Sequence, residues 1–376
     1  MSVSNRLYRI HGECEINNVV CILHDNVLYT ITCTNSGEIV IYNITHNKYQ
    51  CTITSNLNDI IDIHLIESTN TLSFITANQL HYQCISLQSS TAPTHHQCTT
   101  RCKLIVSDAL ESTDDELNNI GYCESNNKLY ITSDNGSITT IDLASNYQLS
   151  TLNAKHSNIA NCISCNDKCI VSGGYDSYIH IYNTSSILQC RIDINKFTPT
   201  ASYTQPAFIT CIDTHIVNNR IYALIGIANG MTVLFDITLL RSPKLLRVLQ
   251  SNPNNSAIVA CRFIQYSATI RYIVTICSNK QIVMWNSDLM LNKQANKYDA
   301  QLNKLINGLS GIDWRSKFNW NDERIQQCMP DMNAIICGWK SQFKPNNMQC
   351  VYGQHTNTMY IVICATNSNC QIIQIS

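Results

Sequence analysis

Residues 169–184 read CIVSGGYDSYIHIYNT, and this stretch decides how the rest of the chain is read. Two runs rich in β-branched and aromatic residues flank Tyr175-Asp176-Ser177. In the second run, Ile179, Ile181 and their polar neighbours alternate, the period-two signature of a strand with one buried face. Asp and Ser suit a sharp reversal of the backbone between the runs. The unit is a strand, a tight turn and a second strand.

The same unit recurs at Leu28–Ile44, Leu72–Leu87, Leu129–Leu143, Ile221–Ile237, Tyr272–Ser287 and Met359–Ser376. Its turns carry Asn35-Ser36-Gly37, Asn135-Gly136 and Asn229-Gly230, residues that tolerate a positive φ. Further apolar segments flank the pairs: Asn18–His24 and Lys48–Thr54 around the first, then Asp59–Ile66, Asn119–Cys123, Asn158–Cys165, Ala207–Thr214 and Ala257–Ile264. Four strands make one blade, which cannot bury both faces alone and so stacks on its neighbours around an axis. The period of about 40–55 residues therefore predicts an all-β, seven-bladed β-propeller over residues 1–376. Arg6–Ile10 is expected to complete the last blade and close the ring, hiding two strand edges. Residues 288–316 read as a polar insertion between blades six and seven, with Leu302, Leu305, Ile306 and Leu309 at helical spacing.

The fourth unit, from Lys155-His156-Ser157 through Ser172 and Asp176 to Tyr182-Asn183, resembles a repeat of the WD family. The resemblance implies a hydrogen-bonded chain through His156, Ser172, Asp176 and Tyr182, with Tyr182 standing where the family has Trp. The family's closing dipeptide reads Tyr42-Asn43, Phe235-Asp236 and Trp285-Asn286 elsewhere. Phe318-Asn319-Trp320 and Ile361–Ile375 resemble a C-terminal blade. The implied function is a protein-interaction scaffold without enzymatic activity. One branch of the family serves as substrate receptors of cullin-4 ubiquitin ligases, which makes that ligase's adaptor a candidate partner. Such receptors often carry Asp-x-Arg after the closing strand; here Cys84-Ile85-Ser86-Leu87 and Asn183-Thr184-Ser185 stand instead.

Composition narrows the classes. The net charge is −1, which leaves no basic excess for nucleic acid. Charged residues make up 14%, below the roughly 25% usual for soluble domains. Asn, Ser, Thr and Gln fill the polar positions, and the plain reading is a coding bias. Apolar runs are too short for a membrane helix, and Met1–Arg9 lacks a signal-peptide core. The 20 cysteines are scattered, several of them inside strands (Cys21, Cys84, Cys211, Cys261, Cys277, Cys364), so they read as reduced thiols of a cytoplasmic or nuclear protein. A monomer within a larger complex is expected. The Asn43-Ile44-Thr45 and Asn183-Thr184-Ser185 sequons are expected to stay bare.

The candidate chemistry is thin. His95-His96-x-Cys98-x-x-x-Cys102 offers zinc-type ligands at a non-standard spacing and reads as a polar loop. Cys162-x-x-Cys165 lies on an alternating strand, which sends its thiols to opposite faces. Glu111–Glu116 is a short acidic loop. His156 reads as ordering a loop. Trp314, Trp320 and Trp339 read as core of an irregular last blade. The inner strands are expected to offer mostly Ile, Val, Tyr and Ser, too little for a catalytic site. No cofactor or metal is expected.

Overall fold

The computed structural model describes residues 3–9, 14–24, 27–54, 59–66, 71–76, 80–84, 102–103, 115–197, 207–250, 256–265, 271–286, 335–353, 358–366 and 368–375. Their strands, numbered in chain order, pair into antiparallel four-stranded sheets. Strand β1 is Val3–Arg9. The first sheet then contains β2 (Ile16–His24), β3 (Val27–Thr34), β4 (Glu38–Asn43) and β5 (Lys48–Thr54). The second contains β6 (Ile60–Ile66), β7 (Thr71–Thr76), β8 (Leu80–Cys84) and β9 (Cys102–Lys103). The third contains β10 (Leu117–Cys123), β11 (Lys128–Ser133), β12 (Ile138–Asp142) and β13 (Gln148–Thr151). The fourth contains β14 (Ala160–Cys165), β15 (Cys169–Gly174), β16 (Tyr178–Asn183) and β17 (Leu188–Asp193). The fifth contains β18 (Ile209–Val217), β19 (Arg220–Ile227), β20 (Met231–Asp236) and β21 (Lys244–Gln250). The sixth contains β22 (Ile258–Gln265), β23 (Arg271–Cys277), β24 (Gln281–Asn286) and β25 (Ile335–Lys340). The remaining sheet joins β26 (Pro345–Gly353), β27 (Thr358–Ala365) and β28 (Asn369–Ile375) to β1.

The expected seven-bladed β-propeller is corrected to six blades, while the expected closure by the N-terminal strand is present, over Val3–Arg9 rather than Arg6–Ile10. Consecutive strands build six blades, and the remaining sector is a composite sheet drawn from both ends of the chain. The reason is an open edge: β28 has β27 on one side only, and β1 covers its other side in register from Val3–Ile375 to Arg9–Asn369. A second difference concerns the polar insertion. Strand β24 pairs directly with β25, so residues 287–334 lie between the third and fourth strands of the sixth sheet rather than between two blades. Those residues, with Trp314, Trp320 and the Phe318-Asn319-Trp320 stretch, lie outside the described set, as do His95, His96, Cys98 and Glu111.

Each hydrophobic core lies between two neighbouring sheets, which is why alternation was so strong. In the fifth sheet, Ala223, Ile225, Val233 and Phe235 pack toward the fourth, while Tyr222, Leu224 and Leu234 pack toward the sixth. Middle strands such as β15 are therefore buried along their whole length. Gly173 and Gly226 serve this stacking: a Cβ at either would collide with Ile209 or Ile258, the first strand residue of the next sheet. The innermost strands β2, β6, β10, β14, β18, β22 and β26 contact one another in that cyclic order, and β26 meets β2. No helix among the described residues is long and apolar enough to cross a membrane.

Candidate functional site

The innermost strands enclose an axial channel of about 1140 Å³. Every one of them opens with a β-bulge at its second residue: Asn17, Ile61, Asn118, Asn161, Thr210, Val259 and Asn346. A bulged residue is unpaired in its own ladder, so its side chain is free to reach a neighbour. Five of these side chains hydrogen-bond the first carbonyl of the next inner strand. Asn17 donates to Ile60 O (2.9 Å), Asn118 to Ala160 O (3.1 Å), Asn161 to Ile209 O (3.3 Å), Thr210 to Ile258 O (2.6 Å) and Asn346 to Ile16 O (2.9 Å).

Ile61 and Val259 cannot make this bond, and their two joints carry charged links instead. Between the second and third sheets, Asp62 accepts the Asn119 amide (2.5 Å) and the Ile120 N–H (2.8 Å). Between the sixth and the composite sheet, Arg262 donates from Nε to Gln349 (3.2 Å) and from Nη2 to Asn347 (3.4 Å). The girdle continues as Asn347 donates to Asn18 (2.8 Å), Asn18 donates to Asp62, and Asn119 accepts the Ile163 N–H (2.8 Å). Ser164–Thr214 (2.9 Å) and Phe263 N–H to Asp213 (2.6 Å) complete it.

This corrects one expectation. The channel wall is not mainly apolar, and Asn17, Asn118, Asn161 and Asn346 staple its joints. The signal was present as Asn-Asn-apolar at Asn17-Asn18-Val19, Asn118-Asn119-Ile120 and Asn346-Asn347-Met348.

Burial governs the channel's ionisable groups. It raises Asp62 to about 6, against the pull of its amide donors. It raises Asp213 to about 6, although Arg262 opposes it. It lowers His64 to about 4, so that imidazole is neutral near pH 7.

In the fourth sheet His156 is hydrogen-bonded to both Asp176 and Ser172, whereas Tyr182 bonds Ala154 and His180. His156 Nδ1 lies 3.0 and 3.1 Å from the two Asp176 oxygens, and His156 Nε2 lies 2.9 Å from Ser172 Oγ. An ionised carboxylate only accepts, so His156 Nδ1 donates to Asp176. Tyr182 donates to Ala154 O (3.1 Å) and meets His180 Nδ1 (3.1 Å). The His180 ring stacks on His156 at 3.9 Å. Burial raises the Asp176 carboxyl, but the His156 hydrogen bond and charge and the Tyr178 and Ser157 amides outweigh it and hold it at about 2. His156, Asp176 and His180 form a metal-like grouping. Both His156 nitrogens are already engaged, so a metal would have to displace this network.

The closing dipeptides share one structural position. The third-to-fourth strand ladder slips by one residue immediately before Tyr42, Tyr182, Phe235 and Trp285. The next residue caps the following turn: Asn43 accepts from His46 N–H (2.9 Å), Asn183 from Ile187 N–H (2.9 Å) and Asp236 from Thr238 N–H (3.0 Å). In the sixth sheet Trp285 Nε1 donates to Thr275 Oγ1 at 3.4 Å.

Cys162 and Cys165 both lie on the channel strand β14, with Cys162 the more buried. Trp339 lies on β25.

The wheel is a β-propeller. Among solved structures, 1559 chains match it, a number too large for shape alone to select a function. One is the structure of U3-55K, with a TM-score of 0.63 and 12% identity over 99% of this chain and 98% of that one. At that identity the likeness is one of fold. No protein-family model matches the chain. No curated protein matches it by sequence.

Proposed function

We propose that the protein is a non-enzymatic protein-interaction scaffold. The observation that supports this best is the hydrogen-bonded girdle, which links the innermost strands to one another and fixes the channel and its rims in one shape. Turns on such a frame can meet a partner with little ordering cost. The outer turns of the fourth and fifth sheets offer apolar contacts: Ile187 is 58% exposed and Leu239 64%. Arg241 Nε donates to Gln189 Oε1 at 3.0 Å and ties these two turns together.

The test is quantitative affinity purification of the full chain beside an Ile187→Asp/Leu239→Asp variant. Recovery of the bound partner should fall by about tenfold or more, the loss expected of an apolar anchor. Undiminished recovery overturns the use of this face. Failure to find any reproducible partner overturns the scaffold role.

The repeat order over residues 129–183 is similar to that of WD repeat-containing protein 53, and this motivates the narrower reading of a cullin-4 substrate receptor in the cytoplasm or nucleus, monomeric within a larger complex. A direct pull-down with the ligase's damage-binding adaptor tests it. No binding at micromolar protein ends that reading and leaves the scaffold role standing.

A further inference from the structure

Two sulfurs meet across the joint between the fifth and sixth sheets. Cys211 on β18 and Cys261 on β22 have their Sγ atoms 3.5 Å apart. Cys211 lines the axial channel and is 7% exposed, whereas Cys261 is fully buried behind it. In register, Cys211 stands opposite Gly226, where a side chain would collide with its sulfur. The glycine leaves the seat the thiol occupies.

We infer that Cys211 and Cys261 are a hydroperoxide-reactive dithiol, in which Cys211 is attacked from the channel and Cys261 resolves it to a disulfide. The surroundings divide the two roles. Burial raises the Cys211 thiol, but the hydrogen bond with Cys261 and the Arg262 charge pull it down further, and it ends below its ordinary value. Burial and the neighbouring Cys211 both hold Cys261 well above its ordinary value. Cys162, Cys165, Cys21 and Cys370 are likewise pushed up by burial. A thiol held below its ordinary value, on a strand that lines a channel and in contact with a second thiol, is suited to reversible sulfur oxidation.

The chemistry balances with a hydroperoxide as the named oxidant. The Cys211 thiolate attacks one peroxide oxygen and the O–O bond breaks. Sulfur is oxidised to the sulfenic acid, and the leaving oxygen departs as water (or an alcohol) after taking a proton. Cys261 sulfur then attacks Cys211 sulfur, the S–O bond breaks, and the hydroxyl leaves with the Cys261 proton as a second water. The product is a covalent clasp between two neighbouring blades.

The experiment treats the reduced full chain with equimolar hydrogen peroxide, blocks the remaining thiols by alkylation under denaturing conditions, and maps peptides without reductant. The expected result is a joined Cys211–Cys261 peptide pair, with Cys33 and Cys277 alkylated. In a Cys261→Ser variant, dimedone should label Cys211. The inference is overturned when Cys14 or Cys190 is oxidised while Cys211 and Cys261 are both recovered alkylated. It is also overturned when dimedone leaves Cys211 unlabelled in the Cys261→Ser chain.

Discussion

Asp62 accepts the backbone amide of Ile120 at 2.8 Å, across the boundary between two sheets. Its other oxygen takes the Ile63 N–H at 2.9 Å, and Asn18 and Asn119 add side-chain donors. Four donors therefore face one carboxylate, and both of its oxygens must accept. Asp62→Asn turns one acceptor into a donor that points at other donors. It should cost about 2 kcal/mol, the scale for hydrogen bonds to a charged group. A urea midpoint unchanged from the wild type would refute this.

The pH dependence follows from buried groups of opposite sign. Asp213 is raised from 3.8 to about 6, so the folded state holds its proton in a range where the unfolded chain has lost it. Its contribution is full below 3.8 and is lost as pH rises to about 6. His64 and His180 are lowered from 6.5 to about 4 and about 3, both chiefly by burial. Their contribution is full above 6.5 and is lost as pH falls toward those values. Asp213→Asn removes the term that falls with pH. Its stability relative to the wild type should therefore climb between about pH 4 and 6, read from denaturation midpoints across that range. A flat or falling difference would contradict the assignment.

Asn161 staples the fourth sheet to the fifth through Ile209 O and Thr210 O. Asn161→Ala should lower stability by about 1 kcal/mol and leave the fold intact. Pairing it with Asn346→Ala at a distant joint should give additive losses within about 0.5 kcal/mol. Two variants as stable as the wild type would show that water replaces these bonds at no cost.

A Cβ on Gly174 would lie 2.7 Å from His156 Nδ1 and 2.8 Å from Asp176 Oδ1. Gly174→Ala should therefore push the two apart, with a loss similar to that of His156→Ala. Asp176 is held at about 2 against 3.8, so its stabilising contribution exists above 3.8 and fades as pH falls through about 2. Thermal unfolding of both variants at neutral pH checks the first expectation. A Gly174→Ala chain of wild-type stability would sink it.

Strand β1 is held by its ladder to β28 and by the Gln371–Asn5 side-chain bond at 3.1 Å. Removing Met1–Arg9 uncovers the β28 edge. The shortened chain should melt at a lower temperature and self-associate through that edge, as seen by light scattering. A monodisperse chain with an unchanged melting point would show that the ring does not depend on this clasp.

Much of the wheel was legible because each core lies between two sheets. Residues such as Leu224 and Ile225 must face opposite neighbours, and that requirement writes period-two alternation into the sequence. The grouping of His156, Ser172, Asp176 and Tyr182 was implied by the resemblance to a WD repeat; hairpin spacing fixes only the hairpin that carries Ser172, Asp176 and Tyr182, and His156 precedes β14. The place of residues 287–334 was not, since β25 resumes the sixth sheet after a long interruption and no local pattern says which sheet a strand rejoins.

Local patterning alone thus determined the strands and their turns, which depend on neighbours a few positions apart. Tertiary structure decided that Asn17, Asn118, Asn161 and Asn346 bridge sheets, that Asp62 and Arg262 serve the two joints without such a bridge, and that Cys211 meets Cys261. These partners lie dozens to hundreds of residues apart. Only closure of the ring sets their distance, because a hydrogen bond or a sulfur contact depends on position in space and leaves no period along the chain.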